Sequence, residues 1–162
     1  MDVNVRLSTD RERLFEAFVA SEGSRLRRAL VARYGVEVGN DVANDALTHA
    51  WSRWSVVESM SNPVGYLYRV AQSAARPHWR WRRRVALVPA DDRIEASLLD
   101  GEVFTALARL SHEQRVAVLL VHGYGYSYAE VASVLGVGVI AVNNYVHRGV
   151  ARLRNQLEDR NG

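Results

Sequence analysis

The densest group of charged and aromatic side chains lies between residues 76 and 84, which contain five arginines and two tryptophans. Arginine neutralises phosphates, and flat indole rings stack on unpaired bases. The combination therefore predicts a nucleic-acid-binding segment. The alternative is that Trp79 and Trp81 are core residues bordered by solvated arginines. The side chains expected to contact nucleic acid are Arg76, Trp79, Arg80, Arg82, Arg83 and Arg84.

A second polar group follows a helical spacing near the C-terminus. Tyr128–Leu135 predicts a short helix, Gly136 a sharp turn, and the residues from Val139 onward a longer helix. This order is typical of a helix-turn-helix, whose second helix offers one face to the major groove. An ordinary helical hairpin is the alternative. The predicted buried stripe is Val139, Val142, Val146, Val150, Leu153 and Leu157, and the opposite face carries Ala141, Asn144, His147, Arg148 and Arg152.

An acidic helix is predicted over residues 40–54, with Asn40 as its N-cap. Its inner stripe includes Trp51 and Trp54. Its outer face could dock a basic partner or could simply be solvated. That face carries Asp41, Asn44, Asp45 and Thr48.

No residue pattern indicates catalysis. The chain has no cysteine, and its five histidines are not spaced as zinc ligands. The glycines near residue 125 lack the Lys–Ser/Thr of a nucleotide-binding loop. We therefore expect no enzyme activity, no metal site and no cofactor.

Charge is distributed unevenly along the chain. All 21 basic residues are arginine, and residues 61–84 contain six of them with no acidic residue. An acidic segment beside a strongly basic one suggests two surfaces with different partners. No apolar run approaches the ~20 residues that span a bilayer. We therefore expect a cytoplasmic protein without membrane insertion.

The remaining pattern predicts an all-α fold of two small helical bundles joined by a linker, the second containing the helix-turn-helix. Helices are expected over residues 10–34, with a kink or break at Gly23, over 63–75 and over 102–109. Ser111 and Gln114 predict a capping box at the start of the next helix. The domain boundaries predicted are 8–84, linker 85–101, and 102–160.

Several motifs resemble those of RNA polymerase sigma factors of the small extracytoplasmic-function group, in the sigma-70 family. The run LSHEQRVAVLLVHGYGYSYAEVASVLGV resembles the family's entry to its helix-turn-helix, and HRGVARLR resembles the motif that closes it. In the N-terminal half, DVANDALTHAW and NPVGYLYRVAQSAA are similar to family motifs. The two parts would correspond to the regions called two and four.

The resemblance implies an alternative sigma factor that binds core polymerase and directs initiation at specific promoters. Its implied partners are core polymerase, promoter DNA and an anti-sigma factor. The core-binding residues would be Asp41, Asn44, Asp45, Thr48 and Trp51. Tyr66, Tyr68, Arg69 and the 76–84 segment would lie on the promoter element near the start site. Ala141, Asn143, Asn144, Tyr145, His147, Arg148 and Arg152 would read the farther upstream element.

The chain departs from the family pattern in its second DNA-reading helix. Gly138 replaces a serine N-cap, worth ~1 kcal/mol. Asn143 and Tyr145 stand where the family usually has cations, so two positive charges are lost. Pro77 replaces a polar residue of the promoter-melting helix. These departures favour one alternative, a sigma-like DNA-binding regulator that does not initiate transcription. A helical protein-interaction module with no DNA role is a further alternative, which buried Trp79 and Trp81 and the lack of a continuous arginine patch would favour.

Overall fold

The computed structural model describes residues 2–75, 87–89, 92 and 100–162. Within these ranges every regular element is helical. No single described helix is long and apolar enough to cross a membrane, and Tyr128–Leu135 with Val139–Asn161 reaches that length only as a pair bent by 105°. The all-α prediction is confirmed.

The N-terminal part begins with a long helical segment. Helix α1 (Asp2–Phe18) continues through a π-helical turn (Val19–Gly23) into α2 (Ser24–Tyr34). The discontinuity predicted at Gly23 is therefore a widened helical turn, with the backbone still helical on both sides. Helix α2 supplies the centre of the core, because Leu26, Ala29, Leu30, Val31 and Ala32 are all buried.

Helix α3 spans Val36–Ser52, so it starts four residues before the predicted position, and the prediction of Asn40 as its N-cap is wrong. Gly35 makes the turn instead. Its φ of 88° is accessible to glycine, and its N–H is bonded to the carbonyl of Val31. The chain thus ends one helix and begins the next within a single residue. A Cβ on Gly39 would lie 2.5 Å from the Cα of Val31, so glycine permits the close packing of α3 on α2.

A short helix α4 (Trp54–Val57) leads to α5 (Pro63–Ala75), which begins at the predicted proline. The side chain of Asn62 accepts a hydrogen bond from the N–H of Gly65 (3.1 Å) and so satisfies one free donor of the first turn. Leu67 and Ala71 are buried, as predicted.

The C-terminal part contains α6 (Gly101–Ala108) and α7 (His112–Val118), the latter followed by a π-helical turn (Leu119–Gly123). Ser111 caps α7 by accepting from the N–H of Gln114 (3.2 Å). The predicted reciprocal bond is absent, because the buried Oε1 of Gln114 has no hydrogen-bond partner. The capping box prediction is therefore half right.

The predicted helix-turn-helix consists of α8 (Tyr128–Leu135) and α9 (Val139–Asn161). A full capping box, in which Ser127 and Glu130 bond reciprocally, starts α8. Gly136 ends it in the left-handed conformation (φ 66°, ψ 35°). These local signals explain why the motif was recognisable in the sequence.

The two described parts share one hydrophobic core. Helix α2 packs against α7 and α8, and α5 packs against α8. Asn62, just before α5, donates to the carbonyl of Ser133 in α8 (2.8 Å). The first helix of the helix-turn-helix is therefore anchored to the N-terminal part of the chain.

Candidate functional site

The outer face of α9 is exposed where the sequence places its DNA-reading residues. Asn144, His147, Arg148 and Arg152 all lie on the surface, spaced so that they share one side of the helix. Ala141 and Asn143 are half-buried at the border of this face. Tyr145 is half-buried and packs against the core, so it lies nearer the buried side of α9 than the exposed face.

The inner face of α9 holds the reading face in position. Val142 and Val146 are buried, and Gly149 permits close packing, because a Cβ there would lie 2.7 Å from Cγ2 of Val118 in α7. Val139 departs from the predicted stripe, since 49% of its surface is exposed. The spacing of apolar residues identifies a face, but it does not tell where along the helix the packing partner ends. Gly138 provides no side-chain cap, as its sequence predicts.

Helix α5 carries two of the residues predicted to lie near the start site. Arg69 is exposed. Its guanidinium lies beside the turn of the helix-turn-helix, 4.0 Å from the position that a Cβ on Gly136 would occupy. Tyr66 is half-buried, and its hydroxyl is 3.0 Å from Nε2 of His49. Tyr68 is only 1% exposed, so the implied DNA contact of Tyr68 does not fit this structure. It is a core residue.

The rest of that predicted surface lies outside the described residues. This applies to Arg76, Trp79, Arg80, Arg82, Arg83 and Arg84, and to the choice between stacking and core roles for Trp79 and Trp81.

The acidic face of α3 is exposed as a continuous patch. Asp41, Asn44, Asp45 and Thr48 all face solvent, and three of them line a shallow depression of about 430 Å³ together with Val38 and Val42. The opposite side of α3 packs on α2 through its buried alanines and Gly39. The packing therefore fixes which face of α3, and so which carboxylates, are exposed to solvent.

Trp51 lies at the end of this patch. It is 37% exposed, whereas Trp54 is 3% exposed, so only Trp54 belongs to the inner stripe predicted for both. Phe15 of α1 covers part of the Trp51 ring, with ring centroids 5.1 Å apart. The guanidinium of Arg11 lies 4.6 Å from the same ring. Trp51 thus joins the N-terminal helix to the acidic patch.

A buried arginine connects the two parts of the chain and was not singled out in the sequence. Arg115 of α7 is 1% exposed. Its Nε donates to the carbonyl of Ala32 (2.6 Å), and its Nη2 donates to the carbonyl of Arg33 (2.8 Å). These carbonyls belong to the last turn of α2, where no following N–H group of the same helix is available to bond them. Burial, followed by the nearby charge of Arg33, lowers the pKa of Arg115 to about 10.

A second junction surrounds Asp92, whose side chain is 4% exposed. Arg28 of α2 donates to both carboxylate oxygens, each at 3.2 Å. Tyr124 donates its hydroxyl to Oδ2 (2.9 Å), and Arg27 lies 3.6 Å from Oδ1. The guanidinium of Arg28 also stacks over Tyr124. Asp92 therefore ties the predicted linker to α2 and to the residues that precede α8.

Among the described residues, no group of three or more His, Asp or Glu side chains is arranged to hold a metal ion. The features that these residues form instead are an exposed polar face on α9, an exposed acidic face on α3 and a packed junction between the two parts.

Comparison with known proteins gives these surfaces a context. The family described as sigma-70, region 4 matches residues 100–153, which include the whole helix-turn-helix. The RNA polymerase sigma-E factor of Streptomyces coelicolor is 30% identical over 124 residues, a stretch covering 72% of this chain and 70% of that protein. The extracytoplasmic-function sigma factor SigL of Mycobacterium tuberculosis is 28% identical over 131 residues, with 74% of each chain covered.

Solved structures agree in fold. CnrH, in complex with the cytosolic domain of CnrY, aligns with a TM-score of 0.59 and 27% identity over 91% of this chain and 90% of that chain. The sigma factor RpoE of Bartonella quintana, in complex with the anti-sigma factor NepR, aligns with a TM-score of 0.60 over 89% and 96%. At 23% identity the latter supports the fold alone.

The helix-turn-helix with its exposed polar face, the region 4 match and the extended identity to sigma-E factors agree with one another. They do not fit a general interaction module of helical bundles. The chain belongs to the extracytoplasmic-function group of the sigma-70 family and is an alternative sigma factor that directs transcription by RNA polymerase.

Proposed function

We propose that this sigma factor divides its task between two exposed surfaces. The acidic face of α3, with Asp41, Asn44, Asp45, Thr48 and Trp51, binds core polymerase. The outer face of α9 reads the upstream promoter element, through Ala141, Asn143, Asn144, Tyr145, His147, Arg148 and Arg152. The start-site-proximal element is contacted by Tyr66 and Arg69, together with Arg76, Trp79, Arg80, Arg82, Arg83 and Arg84.

The exposure of the α9 face carries the proposal for DNA. Asn144, His147, Arg148 and Arg152 are exposed, while Val142 and Val146 on the other side are buried. Arginine contributes phosphate contacts, and asparagine is suited to bidentate recognition of adenine. Tyr145 is the weakest member of the set, because it packs toward the core.

The acidic patch supports the proposal for core polymerase. Asp41 and Asp45 are one helical turn apart and exposed, so both carboxylates are available to a basic partner. The adjoining Trp51 offers apolar area at the edge of the patch. Aromatic residues are enriched in protein interfaces, so an exposed tryptophan beside the carboxylates fits a docking surface.

We also propose a division of the chain that assigns the two surfaces to different domains. Residues 8–84 form the region 2 domain, 85–101 the linker and 102–160 the region 4 domain. The protein acts in the cytoplasm with the polymerase, has no catalytic activity of its own, and is controlled by an anti-sigma factor. Support for such a partner comes from the relative CnrH, which was solved in complex with the cytosolic domain of CnrY.

Run-off transcription tests the function directly. Purified core polymerase and the full chain would be combined with a library of promoter sequences. The expected result is transcripts from a small subset that shares an upstream element. Binding to core polymerase without any transcript from the library would contradict it.

A charge reversal tests the core-binding surface. Asp45→Arg is expected to weaken binding to core polymerase, because it places a cation in the middle of the acidic patch. Glu158→Arg, an equally large charge change on an exposed residue near the end of α9, is the matched control and should leave core affinity unchanged. Equal affinity for the two variants would show that the acidic face is solvated rather than docked.

A further inference from the structure

The first turn of α9 exposes an aliphatic side chain that the fold does not use. Ile140 is 79% exposed, the largest value among the exposed large hydrophobic residues of the described part of the chain. The preceding Val139 is 49% exposed. Neither side chain belongs to the hydrophobic core. Leaving Ile140 in water forgoes the stabilisation that full burial of such a side chain provides.

The position of Ile140 places it on the proposed reading face. Residues 140 and 144 are one helical turn apart, and 147 and 148 follow on the same side. Asn144, His147 and Arg148 are all exposed. Ile140 therefore extends the reading face to the N-terminal end of the helix. In helix-turn-helix proteins that end is the part that reaches the base edges.

The chemistry of the major groove limits what such a side chain can recognise. Base edges there present hydrogen-bond donors and acceptors, and the 5-methyl group of thymine is their apolar feature. An isoleucine gives nothing to a donor or acceptor, but it can bury a methyl group. Asn144, one turn away, is suited to adenine. Both side chains therefore favour A·T pairs.

We infer that Ile140 determines part of the promoter specificity by packing on the 5-methyl group of a thymine in the upstream element. This rests on the proposed function, which places α9 in the major groove. Asn143 and Tyr145 are uncharged, so neither neutralises a phosphate, and an apolar contact contributes relatively more to the binding free energy of this helix.

Replacing thymine by uracil removes the methyl group and leaves base pairing intact. The full chain with core polymerase would be bound to a selected promoter, and each thymine of the upstream element would be replaced in turn. The expected result is affinity about fourfold lower at one or two positions, the equivalent of one buried carbon at ~0.8 kcal/mol. Ile140→Ala should lose most of this difference between thymine and uracil.

A matched variant separates the contact from general effects. Val56 is 56% exposed in α4, far along the chain from α9. Val56→Ala is therefore expected to retain the full response to uracil. A wild-type complex indifferent to uracil at every position would overturn the inference. An Ile140→Ala complex whose affinity responds to uracil as strongly as that of the wild type would also overturn it.

The underlying placement of α9 is tested separately with Asn144→Ala and Arg148→Ala. If both leave promoter affinity unchanged, the proposed role of this face fails. If both weaken binding and uracil still has no effect, the face reads DNA and only the role of Ile140 is wrong.

Discussion

Replacing Arg115 with leucine is expected to destabilise the fold at the junction of its two parts. The guanidinium is the polar partner of the carbonyls of Ala32 and Arg33 at the end of α2, and it also reaches the carbonyl of Leu110 (3.4 Å). It acts as a C-terminal cap supplied from more than 80 residues away. Its positive charge also faces the negative end of the α2 dipole.

The magnitude follows from the two α2 carbonyls. Each buried acceptor left without a partner costs about 1–3 kcal/mol, so the two together cost about 2–6 kcal/mol. The substitution removes the free-energy cost of burying a charge, which is also the main reason why the pKa of Arg115 is lowered. The leucine side chain fills part of the space that the guanidinium leaves. Since this offsets part of the loss, we expect the free energy of unfolding to fall by about 3 kcal/mol.

Urea unfolding followed by circular dichroism measures this change. The exposed Arg109, six residues earlier at the end of α6, provides the control, because Arg109→Leu removes the same charge from the surface. Surface substitutions usually stay within about 0.5 kcal/mol. If Arg115→Leu unfolded at the same urea concentration as Arg109→Leu, the capping interpretation of Arg115 would be refuted.

Three further changes probe the scaffold of the proposed surfaces. Gly39→Ala places a Cβ 2.5 Å from the backbone of Val31, and we expect a lower melting temperature from overpacking of about 1–3 kcal/mol. Ser127→Ala removes the hydroxyl that caps Glu130 N–H, and urea unfolding should show a loss of about 1 kcal/mol, whereas Ser127→Asp should retain most of it. Burial, then two neighbouring arginine charges, lowers the pKa of His112 below its ordinary 6.5. As the pH falls, the imidazole of His112 is therefore protonated in the unfolded chain before it is protonated in the folded chain, and the free energy of unfolding falls as the pH drops below 6.5. We expect the unfolding of His112→Gln to depend less on pH between pH 7 and 5.

Local signals made the helix-turn-helix predictable. Gly136 at the turn and the valines of α9 all lie between residues 136 and 150, and each acts on its own neighbourhood. The start of α5 at Pro63 was predictable for the same reason. The start of α3 was not, because Gly35 ends one helix and begins the next, and the sequence offers Asn40 as an equally plausible cap.

The sides of aromatic residues were less predictable. Helical periodicity places Trp51 and Trp54 together, but the structure buries Trp54 and leaves Trp51 partly exposed beneath Phe15. Tyr66 and Tyr68 also separate, since Tyr68 belongs to the core. Whether a helix face is covered depends on which other helix packs there, and that is a long-range property.

The sequence by itself determined the all-α class, the helix-turn-helix and the polar faces of α3 and α9. These follow from spacing and from capping residues, which act over one or two helical turns. Only the tertiary structure decided that Arg115 caps α2, that Asp92 binds Arg28 and Tyr124, and that Ile140 remains exposed at the tip of α9. Each of these depends on which distant elements meet, and a linear pattern carries no information about that meeting.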